Sequence, residues 1–263
     1  MSLMRRITAL LAIGLLAGCA TQVTPPPPPP PYVAPPPPPP PPPPMVTMAA
    51  PPPQSDTWDG GIVPMCFEAP QPEDDWAREQ VRSAAATWEG AADVHFHIAD
   101  DCATGADGGR AVPIRIVHDP EMFASSSHLG RSLLNGGEIT LNAEYLVTNR
   151  LCGPRGTLGE FKCFYADALH ELGHALGFSH DHVSATAPNC LARTTTPEAV
   201  NASESYYDPN SIMNYCNAKR WEGQLSDADR CSVASAYGPL TGDRPTRAQC
   251  YAMVGAVPTT QEP

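Results

Sequence analysis

The stretch HELGHALGFSHDH, residues 170–182, decides how this sequence is interpreted. His170 and His174 are four residues apart, so a helix places both side chains on one face, a turn apart. Gly177 can end that helix, because glycine adopts backbone conformations that other residues resist. The chain can then reverse and bring His180 to the same point. Three imidazoles around one cation leave a fourth tetrahedral position open, which is the arrangement of a catalytic zinc.

Glu171 lies beside a predicted ligand and is not needed by the metal. A carboxylate in that position can take a proton from a water that the metal activates. The stretch therefore predicts one catalytic Zn²⁺ held by His170, His174 and His180, with Glu171 as the general base. His182 is an additional histidine, which we interpret as a solvated surface side chain.

The segment HELGHALGFSH resembles the HExxHxxGxxH signature of the metzincin zinc endopeptidases, and SIMNY, residues 211–215, is similar to their Met-turn. The resemblance covers most of residues 56–240. It implies an α+β fold, with a twisted mixed sheet, helices and an active-site cleft between two subdomains. It also implies a peptide or protein substrate, which would pair with an edge strand near residues 137–142.

The resemblance also assigns roles to two residues of the SIMNY segment. It implies that Met213 forms a hydrophobic floor beneath the zinc ligands, the alternative being an ordinary core residue. Tyr215 matches the tyrosine that astacins and serralysins use as a detachable zinc ligand, the alternative being a buried aromatic residue. The subfamily stays open, because HELGHALG is typical of matrix metalloproteinases, Met-x-Tyr of astacins or serralysins, and Asp181 of adamalysins. No clear motif supports a structural Ca²⁺.

Two other functions remain open at this point. One is a catalytically silent surface-binding or adhesion lipoprotein, although Glu171 would have no structural role there. The other is a hydrolase of cell-wall peptide crosslinks. His95 and His97 share one face of a predicted strand and could form a second metal site, the alternative being that both face solvent.

The N-terminal region predicts export. Arg5 and Arg6 precede a short apolar run, and LAGC, residues 16–19, resembles the lipobox of bacterial lipoproteins. This predicts a signal peptide over residues 1–18 and a membrane anchor through lipid on Cys19, the alternative being an ordinary signal peptide. Residues 19–53 are then the lipidated cysteine and a proline-rich spacer, or else a ligand of SH3-type domains.

Charge and cysteine content narrow the class of protein further. A net charge of −12 and no basic cluster after Arg6 exclude nucleic acid as a partner. Eight cysteines follow Cys19, an even number that predicts disulfides in an exported protein. Cys152 and Cys163 are the pair expected first, because they are close and flank a Gly-Pro-rich turn. We expect a monomer, with a catalytic domain over 54–240 and a tail tied back by Cys250.

Hydrophobic periodicity predicts the main elements of this domain. Segments 74–90, 164–176 and 225–238 have helical spacing, and the last begins with a capping box of Ser226 and Asp229. Segments 94–98, 112–118 and 137–142 are predicted strands. Asp74 or Asp75 is expected to cap the first helix, whose apolar face carries Trp76, Val81, Ala84, Ala85 and Trp88.

Overall fold

The computed structural model describes residues 56–104, 110–144, 152, 157–181, 207–246 and 249–250. The predicted signal peptide, the lipidated Cys19, the proline-rich spacer and His182 lie outside the described residues. The helices are α1 Asp75–Glu89, α2 Leu158–Ala175 and α3 Asp227–Tyr237. The strands are β1 Ile62–Phe67, β2 His95–Ala99, β3 Val112–Val117, β4 Ser125–Ser126 and β5 Ile139–Asn142. Helices beside a mixed sheet confirm the α+β prediction.

The five strands form one sheet in the order β2-β1-β3-β5-β4. The first four are parallel, and β4 runs antiparallel to β5, with Ser125 opposite Thr140. Strand β5 therefore lies inside the sheet. The prediction that the segment 137–142 forms the edge is wrong, because the two-residue strand β4 covers it. A strand of two serines has no hydrophobic alternation that could have revealed it.

Strand β1 was not predicted, although it lies between β2 and β3. Its alternate residues Val63, Met65 and Phe67 are almost fully buried. Pro64 argues against a central strand, because proline cannot donate a hydrogen bond to a neighbouring strand. The register explains why it is tolerated: Pro64 is opposite His97 of β2, whereas pairing with β3 runs only from Met65 to Phe67.

Helices α1 and α2 pack against each other, and they contact β2 and β5 respectively. The predicted apolar face of α1 faces the core, where Trp76 is partly buried and the other four residues are buried. Trp88 at its end stacks on Phe178 with ring centroids 5.8 Å apart. At its other end, Trp76 contacts the rings of Phe161 and Phe164 on α2. None of the described helices is both long enough and apolar enough to cross a lipid bilayer.

Of the two predicted helix caps, the one at α3 is present and the one at Asp74 of α1 is not. Ser226 and Asp229 form both hydrogen bonds of a capping box at the start of α3, which confirms that prediction. Asp74 precedes α1 without capping it through its side chain. Its carboxylate instead lies 2.7 Å from Nε2 of His118, so it links the start of α1 to the end of β3.

Disulfides tie the loops to these elements. The pairs are Cys66–Cys102, Cys152–Cys163 and Cys231–Cys250, and Cys216 is disulfide-bonded as well. The prediction for Cys152 and Cys163 is thereby confirmed, and Cys250 is bonded to α3. Every cysteine among the described residues is oxidised, which is typical of proteins in an oxidising compartment.

Candidate metal centre

The structure brings the three predicted ligands together. His170, His174 and His180 are buried, and Nε2 of His180 lies 3.0 Å from Nε2 of His170 and 3.1 Å from Nε2 of His174. Nitrogens at about 2.0–2.1 Å from a tetrahedral zinc are about 3.3 Å apart, so the observed spacing is close to that of a zinc site. Within the described part of the chain, these residues form a group that could hold a metal ion.

The hydrogen bonds of two imidazoles orient them toward this point. Nδ1 of His170 donates to the carbonyl of Ile212 at 2.8 Å, and Nδ1 of His174 donates to the carbonyl of Phe178 at 2.7 Å. A carbonyl only accepts, so in each neutral ring Nδ1 carries the proton and Nε2 keeps its lone pair. Both Nε2 atoms are thus prepared to bind a metal.

Burial favours the neutral form of His170 as well. Desolvation, with smaller effects of Arg220 and the two neighbouring histidines, holds the pKa of His170 well below its usual value. A protonated imidazole cannot coordinate a metal, so this shift keeps the ligand available at neutral pH. The set of donors and their spacing, together with the neutral form of His170, fit zinc.

The turn after α2 brings His180 back to the helix. Gly177 has φ +95°, and the amides of Gly177 and Phe178 donate to the carbonyls of His174 and Gly173. This is the Schellman pattern that ends many helices. Trp58 and Tyr237 donate to the carbonyls of Ala175 and Leu176, respectively. The predicted role of Gly177 is therefore correct, and long-range contacts hold the turn in place.

Met213, the predicted floor of the centre, is fully buried and packs against α2 at Gly173. Its sulfur occupies the space that a side chain on Gly173 would need, since a Cβ there would lie 2.4 Å from Sδ. The same Cβ would approach the ring of Trp88 at 3.1 Å. Gly173 thus allows the Met-turn to approach α2 between two of its histidines. The sequence analysis did not identify this role of Gly173.

Asp229 holds the Met-turn from the other side, a role that the sequence analysis also missed. Its carboxylate accepts hydrogen bonds from the hydroxyl of Ser211 at 2.7 Å and from the amide of Ile212 at 2.9 Å. It also accepts from the amide of Ser226 in the capping box. Since the carbonyl of Ile212 accepts from His170, Asp229 links the start of α3 to a metal ligand.

Asp229 should make the stability of the fold depend on pH. Burial raises its pKa from 3.8 to about 6. Between those values the folded state binds the proton more tightly than the unfolded state, so stability falls as pH rises from about 4 to 6. We expect Asp229→Asn to remove this pH dependence, which amounts to a change in the free energy of unfolding of at most about 3 kcal/mol. Thermal unfolding of both metal-free proteins between pH 4 and 7 measures it, and parallel curves would contradict it.

Glu171 and Tyr215 are the predicted catalytic residues. Glu171 is 1% exposed and follows His170 on α2. The half-buried ring of Tyr215 stacks on His170 at 4.8 Å and lies 4.6 Å from the ring of His180. The structure therefore brings the three histidines and the ring of Tyr215 together, with Glu171 adjacent to His170 on the helix. Asp181, after the third histidine, turns away and accepts a hydrogen bond from the amide of Asp208.

The predicted strand histidines lie elsewhere. His95 and His97 project from the edge strand β2 and are exposed, and Nε2 of His95 is 3.2 Å from the carboxylate of Asp93. They form no metal-binding group with other described residues. Solvent exposure is the alternative that the structure favours for them.

The fold is similar to those of solved protein structures. A solved structure of myroilysin matches 74% of this chain and 100% of its own, at 17% identity and a TM-score of 0.50. The chain has a metzincin-like fold. Another similar structure is that of high choriolytic enzyme 1, described as a hatching enzyme zinc-protease from the medaka fish Oryzias latipes. It covers 62% of this chain and 74% of its own, at 19% identity and a TM-score of 0.35. No protein-family model and no curated protein matches the sequence.

Proposed function

We propose that this protein is a zinc-dependent endopeptidase. The observation that carries the proposal is the convergence of three buried imidazoles, with Nε2 atoms 3.0 and 3.1 Å apart, next to the buried Glu171. The metzincin-like fold supports it. His170, His174 and His180 would hold the metal.

The residues of the chain have separate tasks in this reaction. Bound zinc would acidify a water and polarise the scissile carbonyl. Glu171 would take a proton from the attacking water and deliver it to the leaving amine. The hydroxyl of Tyr215 would donate a hydrogen bond to the oxygen of the carbonyl as negative charge develops there. Met213 would keep the ligands in place from below.

The substrate would be an extended peptide. Strand β4 is an edge of the sheet, and an extended chain can add to such an edge through backbone hydrogen bonds. This proposal transfers the predicted docking strand from residues 137–142 to Ser125–Ser126. Backbone pairing would supply affinity, and side-chain pockets would supply the preference.

Assays of the purified wild type test the proposal. We expect cleavage of casein and of internally quenched peptides, loss of cleavage with a zinc chelator, and recovery on adding zinc. Cleavage of purified peptidoglycan but of no peptide or protein would indicate a cell-wall hydrolase instead. A zinc-loaded, folded protein that cleaves neither substrate would support the silent binding protein and overturn the proposal.

Tyr215→Phe separates the two interpretations of this residue. If the hydroxyl stabilises the oxyanion, its loss should lower kcat by about 10²-fold. KM should change little, because the contact forms only in the transition state. If Tyr215 is only packing, the variant should resemble the wild type, since the ring remains. Steady-state kinetics within a factor of two of the wild type would leave Tyr215 as a packing residue.

We also propose that the domain works outside the cytoplasm, anchored by lipid on Cys19. The oxidised state of the described cysteines supports export. Labelled fatty acid should enter the protein in bacterial cells and should fail to enter Cys19→Ala. Equal labelling of the two proteins would contradict the anchor.

A further inference from the structure

Arg220 is a buried arginine that has no task in the proposed reaction. It lies in the short helical turn Arg220–Glu222 that follows the Met-turn, and it is 8% exposed. One of its amino groups donates to the carboxylate of Asp167, which is also buried. Among the described residues, its Nε has no hydrogen-bond acceptor. Burying a guanidinium is costly, so its location needs a compensating interaction.

Two aromatic rings provide that interaction. The central carbon of the guanidinium lies over the ring of Tyr215, 4.7 Å from its centroid, and over the ring of Trp221, 4.4 Å from its centroid. A cation over an aromatic face is attracted by the electron density of the ring, and more strongly when water is excluded. Arginine suits this role better than lysine, because its flat guanidinium can stack while its amino groups bind a carboxylate.

The partner of Arg220 connects this stack to the metal centre. Asp167 is on α2, three residues before His170, so both side chains lie on the same side of the helix. Arg220 is therefore fixed to the helix that supplies two of the histidines. The ring of Tyr215 lies near this cation and also stacks on His170 at 4.8 Å.

We propose that Arg220, fixed by Asp167, is a positioning residue that holds the ring of Tyr215 over the histidine cluster. As a part of the peptidase mechanism this rests on the proposed function, whereas the placement of the ring does not. Beside the larger effect of desolvation, Arg220 also contributes to the lowered pKa of His170, so the kinetic test must separate that direct effect from one that passes through Tyr215. Without Arg220, the Tyr215 ring would keep its hydroxyl but would no longer be held over the histidine cluster.

The variant that tests the placement is Asp167→Asn combined with Arg220→Gln. Changing both residues avoids leaving one buried charge without its partner, which would destabilise the fold for a trivial reason. The matched control is Arg230→Gln, which makes the same change at an exposed arginine on α3. A crystal structure of the double variant should show the Tyr215 ring displaced from His170, and the control should keep the native stacking. A ring that stays in its native place in the double variant would overturn the proposal.

Kinetics then test the path through Tyr215. The double variant should lose roughly tenfold or more in kcat with KM within twofold, because a misplaced catalytic group costs turnover. Added to Tyr215→Phe, the same two changes should alter kcat less than twofold, since the hydroxyl that they position is already absent. Equal losses in both backgrounds would show that Arg220 acts by a route other than Tyr215 and would overturn the proposal. If the wild type cleaves nothing, the proposed function fails, and the crystal structures still decide where Arg220 holds the ring.

Discussion

Replacing Glu171 with alanine is expected to abolish nearly all peptidase activity while leaving zinc and the fold in place. Glu171 is buried and follows His170, a predicted zinc ligand, on α2. General-base assistance is worth about 10²–10⁴-fold in rate, so kcat/KM should fall within that range. Cleavage of an internally quenched peptide measures the loss, and elemental analysis measures the zinc that remains.

Glu171→Gln refines this experiment, because glutamine has the size of glutamate and cannot accept the proton. The matched control is Glu160→Gln, the same change at another buried glutamate of α2. We expect a loss comparable to that of Glu171→Ala for the first variant and near wild-type turnover for the control. Full activity of Glu171→Gln would show that a different group activates the water.

Replacing His174 with alanine is expected to remove the metal. The wild type should contain one zinc per chain, held by three imidazoles whose Nε2 atoms already lie at a spacing close to that of a zinc site. Losing one of three protein ligands leaves too few for tight binding, so the variant should lose its zinc on dialysis and its activity with it. Elemental analysis of both purified proteins checks this outcome.

The control for the metal experiment uses the exposed histidines of β2. His95→Ala combined with His97→Ala should retain one zinc per chain and full activity, because these side chains lie outside the cluster. A wild type that contains two zinc ions, one of which is lost in this variant, would restore the alternative of a second metal site. Zinc that survives His174→Ala unchanged would contradict the assignment of the ligands.

Most of the correct predictions rest on sequence patterns within short segments. The two histidines at the end of α2, the glycine turn and the third histidine fall within the eleven residues 170–180, so local geometry alone brings the ligands close together. The capping box of Ser226 and Asp229 is local in the same sense. The Cys152–Cys163 disulfide closes a loop with a sequence separation of 11. Patterns of this length are read directly from spacing, because one turn of helix or one tight turn fixes the geometry.

The errors lie where pairing between distant segments overrides the local signal. Strand β1 was missed, and since proline is unfavourable in a central strand, only its register between two neighbours shows how Pro64 is accommodated there. The two serines of β4 have no strand pattern of their own, so β5 was mistaken for the edge. The choice of edge matters for function, because the edge is where an extended substrate can pair.

By itself, then, the sequence determined the identity and local arrangement of the three histidines and Glu171, along with the α+β class of the fold. Tertiary structure alone decided what holds that centre in shape. Met213 packs into the space that Gly173 leaves open, and Asp229 orients the Ile212 carbonyl, which accepts from His170 across 42 residues. Arg220 reaches Asp167 across 53 residues and lies over Tyr215. These contacts arise from packing between segments far apart in the chain, and no periodicity within one segment can encode them.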